Sequence, residues 1–157
     1  ALRELRATVK VLRGPVPADT PRGATSLAGL DALVRPARAA GLDVVLDVDV
    51  PPGALDGAID AAAYRIVQES LTNVLRHADA RSATVSAHVA DGRLLLRVAD
   101  DGVGTAARTD GADEHGAGQG VAGMTERAAL LGGRLEARDA PDGGFVVEAE
   151  LPARLGP

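Results

Sequence analysis

The sequence predicts an α/β two-layer sandwich, and three observations carry that prediction. Short segments with apolar residues at every second position recur along the chain, longer segments with a helical period separate them, and glycines concentrate between the two kinds of segment. At 157 residues the chain has the length of a single core, which excludes two large domains. With 46% hydrophobic and 25% charged residues its composition is globular. Aromatic residues make up 1%, essentially Tyr64 and Phe145, so the core has to be aliphatic and stacking platforms for single-stranded nucleic acid are missing. A net charge of −5 argues further against nucleic acid as a partner.

The elements follow in order. Leu2, Leu5, Val9 and Leu12 mark one side of a helix over 1–13, and Gly14-Pro15-Val16-Pro17 stops it. Residues 14–24 read as a linker, the domain as 25–153 and 154–157 as a tail. Ser26 is the expected N-cap of a helix reaching Ala40, with Gly41 as terminator and Pro36 expected to kink or shorten it. Leu42, Val44, Leu46, Val48 and Val50 alternate as one face of a strand whose acidic face should meet solvent. The longest helical signal runs from Leu55 to Ala78. Ala83 to Val89 and Leu94 to Val98 are period-two strands joined across Asp91-Gly92, a strong hairpin signal. Residues 101–120 hold six glycines and almost no large apolar side chain, a lid rather than a connector. A helix from Val121 to Leu131 and strands over 134–138 and 144–151 complete a mixed, mostly antiparallel sheet of about five strands with helices on one face.

The absence of cysteine removes disulfides, thiolate nucleophiles and zinc ribbons, and His77, His88 and His115 lack metal-ligand spacing. No apolar stretch approaches the roughly 18 residues a membrane span needs, and the opening ALRELRATVKVLR is too charged for a signal peptide. Chemistry concentrates elsewhere. Glu69, Asn73 and His77 recur every fourth residue, a polar stripe along the long helix beside Arg76. Standing alone, such a stripe is usually a solvated face. It is followed by Asp100-Asp101-Gly102-Val103-Gly104, where an acid at a strand end can accept from an exocyclic amino group and alternate glycines admit a flat ligand. Adenine has that shape and that donor. Gly116-Ala117-Gly118-Gln119-Gly120 then leads into a helix N-terminus, where converging backbone amides suit phosphate. There is neither a P-loop nor a dinucleotide fingerprint, so the order of the signals carries the reading.

In that order, YRIVQESLTNVLRHADA, VADDGVG and GQGVAGMTERAALLGG resemble the asparagine box and the two glycine boxes of the ATP-binding catalytic domain of bacterial sensor histidine kinases. The resemblance covers roughly residues 25–152. Its wording is most similar to the subfamily that pairs with LuxR-type response regulators and includes nitrate sensors. It implies the Bergerat ATP-binding fold, with ATP and Mg2+ as ligands. Asn73 matches the magnesium-coordinating residue, with Glu69 near the metal or the reacting phosphate, and Arg76 and His77 match positions that face the phosphates. Asp100 matches the adenine-reading acid, Gly102 and Gly104 the glycines that admit the base, and Gly118 and Gly120 the hinges of the ATP lid. Val121 stands where leucine is commoner and Thr125 where arginine is frequent, both at lid-contact positions, and no phenylalanine box is visible.

The same resemblance implies a phosphoacceptor histidine on a preceding dimerisation domain, of which 1–13 would be the end of the second helix. His88 and His115 read as solvated surface residues, not acceptors. The expected partners are that domain and a LuxR-type regulator. The chain itself is expected to be a monomer that binds Mg-ATP without phosphorylating itself. Its parent is expected to be a homodimer, with this domain cytoplasmic and the parent able to be anchored in the bacterial inner membrane. Fold alone leaves other readings open: an ATP hydrolase or serine kinase of the same fold, or a degenerate module that only binds a protein. Intact Asn73, Asp100, Gly102, Gly104, Gly118 and Gly120 speak against degeneration.

Overall fold

The computed structural model describes residues 25–104 and 117–156, apart from the side chains of 77, 78 and 117–119. The expected helix over 1–13, the linker, residues 105–116 of the lid and His115 lie outside the described residues. Five strands form one sheet: β1 (Asp43–Asp49), β2 (Ser82–Ala90), β3 (Arg93–Asp100), β4 (Arg134–Asp139) and β5 (Phe145–Pro152). Their spatial order is β1-β2-β3-β5-β4, with β1 and β2 parallel and every other pair antiparallel. A parallel pair needs a long crossover. Here it is α2 (Gly57–Asn73), extended by a π-helical turn at Val74–Ala78. A 3-10 turn at Leu27–Gly29, α1 (Leu30–Ala39) and α3 (Ala117–Leu130) complete the helical layer.

Alternation in the strands decides which face the helices cover. Ala83, Val85 and Ala87 on β2, Leu94, Leu96 and Val98 on β3, and Val147, Ala149 and Leu151 on β5 are buried with Ile59, Ile66, Val67 and Leu71 of α2. Tyr64 and Phe145 join the same core. Asp43, Asp47 and Asp49 point outward, as the alternation of β1 requires. Both residues of the Asp91-Gly92 turn have positive φ, 52° and 74°, the backbone that a two-residue hairpin loop of type I′ demands.

Ser26 caps the 3-10 turn that leads into α1 and not the α-helix itself, whose N-cap is Gly29. The Ser26 hydroxyl accepts from the amide of Ala28 at 3.2 Å. It also donates to Asp60 Oδ2 at 2.6 Å, while the Leu27 amide donates to Asp60 Oδ1 at 2.8 Å, so the entry to α1 is tied to the first turn of α2. Pro36 sits inside α1 without ending it. The Arg38 guanidinium donates to the Val44 carbonyl at 2.7 and 3.1 Å and straps the helix end to β1. Two boundaries differ from the sequence expectation. The long helix loses its α-helical spacing after Asn73 and closes through Asp79 in the left-handed region. The last helix starts at Ala117, not Val121, so Gly118 and Gly120 lie in its first turn and not in a loop before it.

On the face that the described helices leave open, β5 lies between β3 and β4 and carries two carboxylates that each hold two arginines. Glu148 takes Arg138 at 3.0 Å and Arg97 at 3.3 Å, and Glu150 takes Arg134 at 2.8 Å and Arg93. The hydrogen bond from Arg138 holds Glu148 below the usual carboxylate range, and that from Arg134 does the same for Glu150. A carboxylate lowered by folding stabilises the fold fully above its unfolded value, about pH 4, and the gain is lost as pH falls through the lowered folded value. Glu148→Gln is therefore expected to flatten the loss of stability on acidification below about pH 4, read from urea midpoints at a series of pH values.

Gly133 packs so closely that a Cβ there would collide with the Glu150 carbonyl and stand 2.6 Å from Leu151 Cδ2, whereas a Cβ on Gly123 in α3 would meet nothing within 4 Å. Gly133→Ala should cost about 1–3 kcal/mol and Gly123→Ala should stabilise by about 0.5–1 kcal/mol. Urea denaturation with unchanged slope checks both.

Candidate functional site

The polar stripe of α2 is not a uniformly solvated face. Asn73, at the last α-helical position, is 3% exposed, and neither its Oδ1 nor its Nδ2 has a hydrogen-bond partner among the described residues. Buried amides are normally bonded, so an orphaned one marks a place built for something else. Glu69 stands one turn earlier, half-buried. The first turn of α3 lies over both: a Cβ on Gly120 would sit 2.6 Å from Glu69 Oε1 and 3.5 Å from Asn73 Nδ2. Ser70 Oγ donates to Met124 Sδ at 3.6 Å and fixes the two helices together one turn further in. The structure thus brings Glu69, Asn73 and Gly120 into one cluster.

After Asn73 the chain turns once as a π-helix, a wider turn often found where a helix serves a site. Arg76 lies on this turn and is exposed; the backbone of His77 belongs to the same turn, and its side chain lies outside the described residues. The four-residue spacing that places His77 in line with Asn73 in an α-helix does not hold here.

A second cluster forms at the end of β3. Asp100 is 8% exposed, and its Oδ1 accepts from the Gly102 amide at 2.8 Å, so the backbone orients the carboxylate. Gly104 is buried with φ +67°, and a Cβ there would stand 2.6 Å from Asp139 Oδ1 and 3.2 Å from the Gly144 carbonyl. Gly144 in turn presses on Asp100, whose carbonyl a Cβ on Gly144 would strike. The β4–β5 turn is therefore a wall of this cluster. Sequence reasoning missed Asp139 and Gly144 because only the insertion of β5 between β3 and β4 brings that turn to Asp100. The doubled Gly143-Gly144 was the available signal.

Asp101, on the opposite side of the strand end, has no role of its own in the sequence reading. Its Oδ1 accepts from the amides of Arg81 and Ser82, both at 2.9 Å, and its Oδ2 from Ser82 Oγ at 3.0 Å. These bonds, the Ser82 amide's foremost, hold the Asp101 carboxyl below its usual range. Val121 packs half-buried against the core, and the exposed Thr125 donates its hydroxyl to the Val121 carbonyl at 2.8 Å. Gly118 lies in the first turn of α3. His88 is part-exposed on the open sheet face, 3.4 Å from Asp47. Among the described residues no three His, Asp or Glu side chains converge as a metal cage.

Residues 59–155 match the family described as histidine kinase-, DNA gyrase B- and HSP90-like ATPases. The chain belongs to this ATPase family. Among its curated relatives are the sensor histidine kinase YxjM of Bacillus subtilis, 35% identical over 136 residues, covering 83% of this chain and 30% of the relative. The sensor histidine kinase NarS of Mycobacterium tuberculosis is 35% identical over 119 residues, covering 75% and 27%. The oxygen sensor histidine kinase NreB of Staphylococcus carnosus is 35% identical over 97 residues, covering 62% and 27%. The chain thus spans less than a third of these relatives. The Acinetobacter baumannii histidine kinase AdeS superposes with a TM-score of 0.62 at 16% identity, over 97% of this chain and 76% of that one. The catalytic domain of the histidine kinase ThkA gives 0.58 at 13% identity, over 99% and 95%. These solved structures carry the fold: the two-layer sandwich of histidine kinase ATPase domains, which agrees with the Bergerat fold expected from the sequence. Among the described residues of this ATPase domain no helix is long and apolar enough to cross a membrane.

The contact between Gly120 and Glu69 makes a test that needs no ligand. Gly120→Ala should cost about 1 kcal/mol by crowding the carboxylate, and Glu69→Ala should remove most of that cost. A double-mutant cycle of urea stabilities measures the coupling, and additive losses would contradict the contact.

Proposed function

We propose that this domain binds Mg-ATP between α2 and α3, with the base at the end of β3. In its parent it would supply the γ-phosphoryl to a histidine on a preceding dimerisation domain, for relay to an aspartate of a LuxR-type response regulator. The observation that carries this reading is Asn73: a buried amide, unpartnered among the described residues, beside a carboxylate and beneath a helix N-terminus. Membership of the ATPase family supports ATP, and relatives named as sensor histidine kinases support the acceptor.

The residues present fit magnesium. Asn73 Oδ1 and the Glu69 carboxylate are hard oxygen donors, and so small a protein share of the shell leaves places for phosphate oxygens and water. When bound, the ion neutralises phosphate charge. Asp100, oriented by the Gly102 amide, accepts from the exocyclic amino group of adenine, and Gly104 lets the base approach the backbone. Arg76, exposed on the π turn, is placed to meet phosphate from the solvent side. The first turn of α3, with Gly118 and Gly120, offers amides at a helix N-terminus. Phosphoryl transfer asks mainly for positioning and charge neutralisation, and these groups supply both.

Calorimetric titration with a non-hydrolysable ATP analogue tests the reading. The chain should bind it, more tightly with magnesium. Asp100→Asn should weaken binding more than tenfold, because a reversed donor then faces the amino group, while urea stability changes little. Asn73→Asp should alter the magnesium dependence more than the fold. Equal affinity in Asp100→Asn and the parent sequence would sink the base-reading role.

A further inference from the structure

We propose that Asp101 is a positioning residue for base recognition, acting by clamping the strand end that carries Asp100 to the exit of the π-helical turn. The proposal rests on the nucleotide reading above and deepens it. Successive residues of an extended segment point to opposite sides, so Asp100 faces the buried layer and Asp101 faces out. A surface acid after a strand ordinarily has water as its partner. Asp101 instead takes three donors from two consecutive residues, the amides of Arg81 and Ser82 and the Ser82 hydroxyl, and its own amide donates to the Ser82 carbonyl at 3.2 Å.

Arg81 and Ser82 are the residues where the chain leaves the site helix. Asp79 closes the π turn in the left-handed region, and β2 starts at Ser82. The Arg81 carbonyl also accepts from the Asp43 amide at 2.9 Å, so this junction is bonded to β1 on one side and to Asp101 on the other. From the far side, Gly144 presses on the Asp100 carbonyl and would place a Cβ 3.2 Å from Asp101 Cα. The peptide that joins the two acids is thus held between the β2 junction and the β4–β5 turn. The segment that leaves the helix of Asn73 and the strand that carries Asp100 are joined by the β2–β3 ladder, whose end is closed by the Asp101 carboxylate. Without it, the Asp100 side chain keeps its chemistry and loses its fixed place.

A base-reading acid that is well placed favours adenine, which offers an amino group, over guanine, which offers a carbonyl at the same position. The affinity ratio between matched non-hydrolysable ATP and GTP analogues therefore reports the placement of Asp100. Both analogues meet the same folded fraction of protein, so a purely structural loss leaves the ratio unchanged. Titrations would compare the parent sequence, Asp100→Asn, Asp101→Ala and Asp101→Asn, with thermal midpoints beside them.

Asp101→Ala is expected to lower the ATP-to-GTP ratio about tenfold, the loss of one charge-assisted hydrogen bond. Asp101→Asn should keep most of the ratio, because its amide oxygen still accepts from both backbone amides and its amino group can donate to Ser82 Oγ. Ser82→Ala, which removes one of the three donors, should fall between them. An Asp101→Ala protein with the parent ratio overturns the clamp while leaving the nucleotide site standing, provided Asp100→Asn has lost its preference. Parallel loss of both analogues with a lowered midpoint overturns it in favour of a role in folding alone. No binding by the parent sequence overturns the nucleotide reading and the clamp together.

Discussion

A primary amide held away from water without a partner costs about 1–3 kcal/mol for each orphaned group, and the helical layer of this domain is arranged around Asn73, whose amide has no partner among the described residues. Asn73 could be solvated by a small rotation of α2, but that rotation would expose Ile66, Val67 and Leu71, which are completely buried. The apolar contacts therefore fix the phase of the helix, and the amide is carried into the interior with them. Packing on the other side completes the enclosure. Met124 of α3 is completely buried against Ser70, and Gly120 brings helix backbone to where a side chain would displace Glu69. Hydrophobic burial supplies the stability that lets the site remain polar and unsatisfied, a local conflict of the kind expected at functional positions.

Much of this architecture was legible in the residues. Period-two alternation located three strands, the last two lie near their expected places, Asp91-Gly92 located the tight hairpin, and Ser26 is an N-cap, though of the 3-10 turn and not of the α-helix. What the residues could not show was which strands become neighbours. The parallel pairing of β1 with β2 and the insertion of β5 between β3 and β4 depend on burial of complementary faces, not on local pattern. The same limit hid part of the site. Spacing singled out Glu69 and Asn73, and the neighbouring glycines singled out Asp100. Asp101, Asp139 and Gly144 matter through contacts between segments far apart in the chain. Helix ends were misread for a different reason. Glycine lowers helix propensity by about 1 kcal/mol per residue relative to alanine, so Gly118 and Gly120 read as loop, yet close packing on α2 needs a residue without a side chain at Gly120 and keeps it helical. The π turn has no sequence signature, since the apolar pattern of Leu71, Val74 and Leu75 fits an α-helix equally well.

The open face of the sheet solves a separate problem. An antiparallel sheet with one bare face and two edges invites pairing with other chains. The β1 edge presents Asp43, Asp47 and Asp49, and the β4 edge presents Arg134, Glu136 and Arg138, so both edges are charged. Glu136 and Glu148 lie directly opposite on β4 and β5, a like-charge pair that Arg138, within 3.8 Å of the one and 3.0 Å of the other, neutralises. On β3, β4 and β5 the charges pair among themselves, while Val45 and Leu95 stand exposed on the same face.

The position of β5 has a consequence for how the chain acquires its shape. β5 is the last strand in sequence and lies between β3 and β4. Until residues 145–152 join, β4 has no ladder partner and β3 presents an unpaired edge, so a chain that lacks them is left with a three-stranded sheet and a lone strand that has no place in it. Contacts of such long sequence separation slow folding. The turn that presses on Asp100 is continuous with the same strand, so the cluster around Asp100 is complete only when the sheet is.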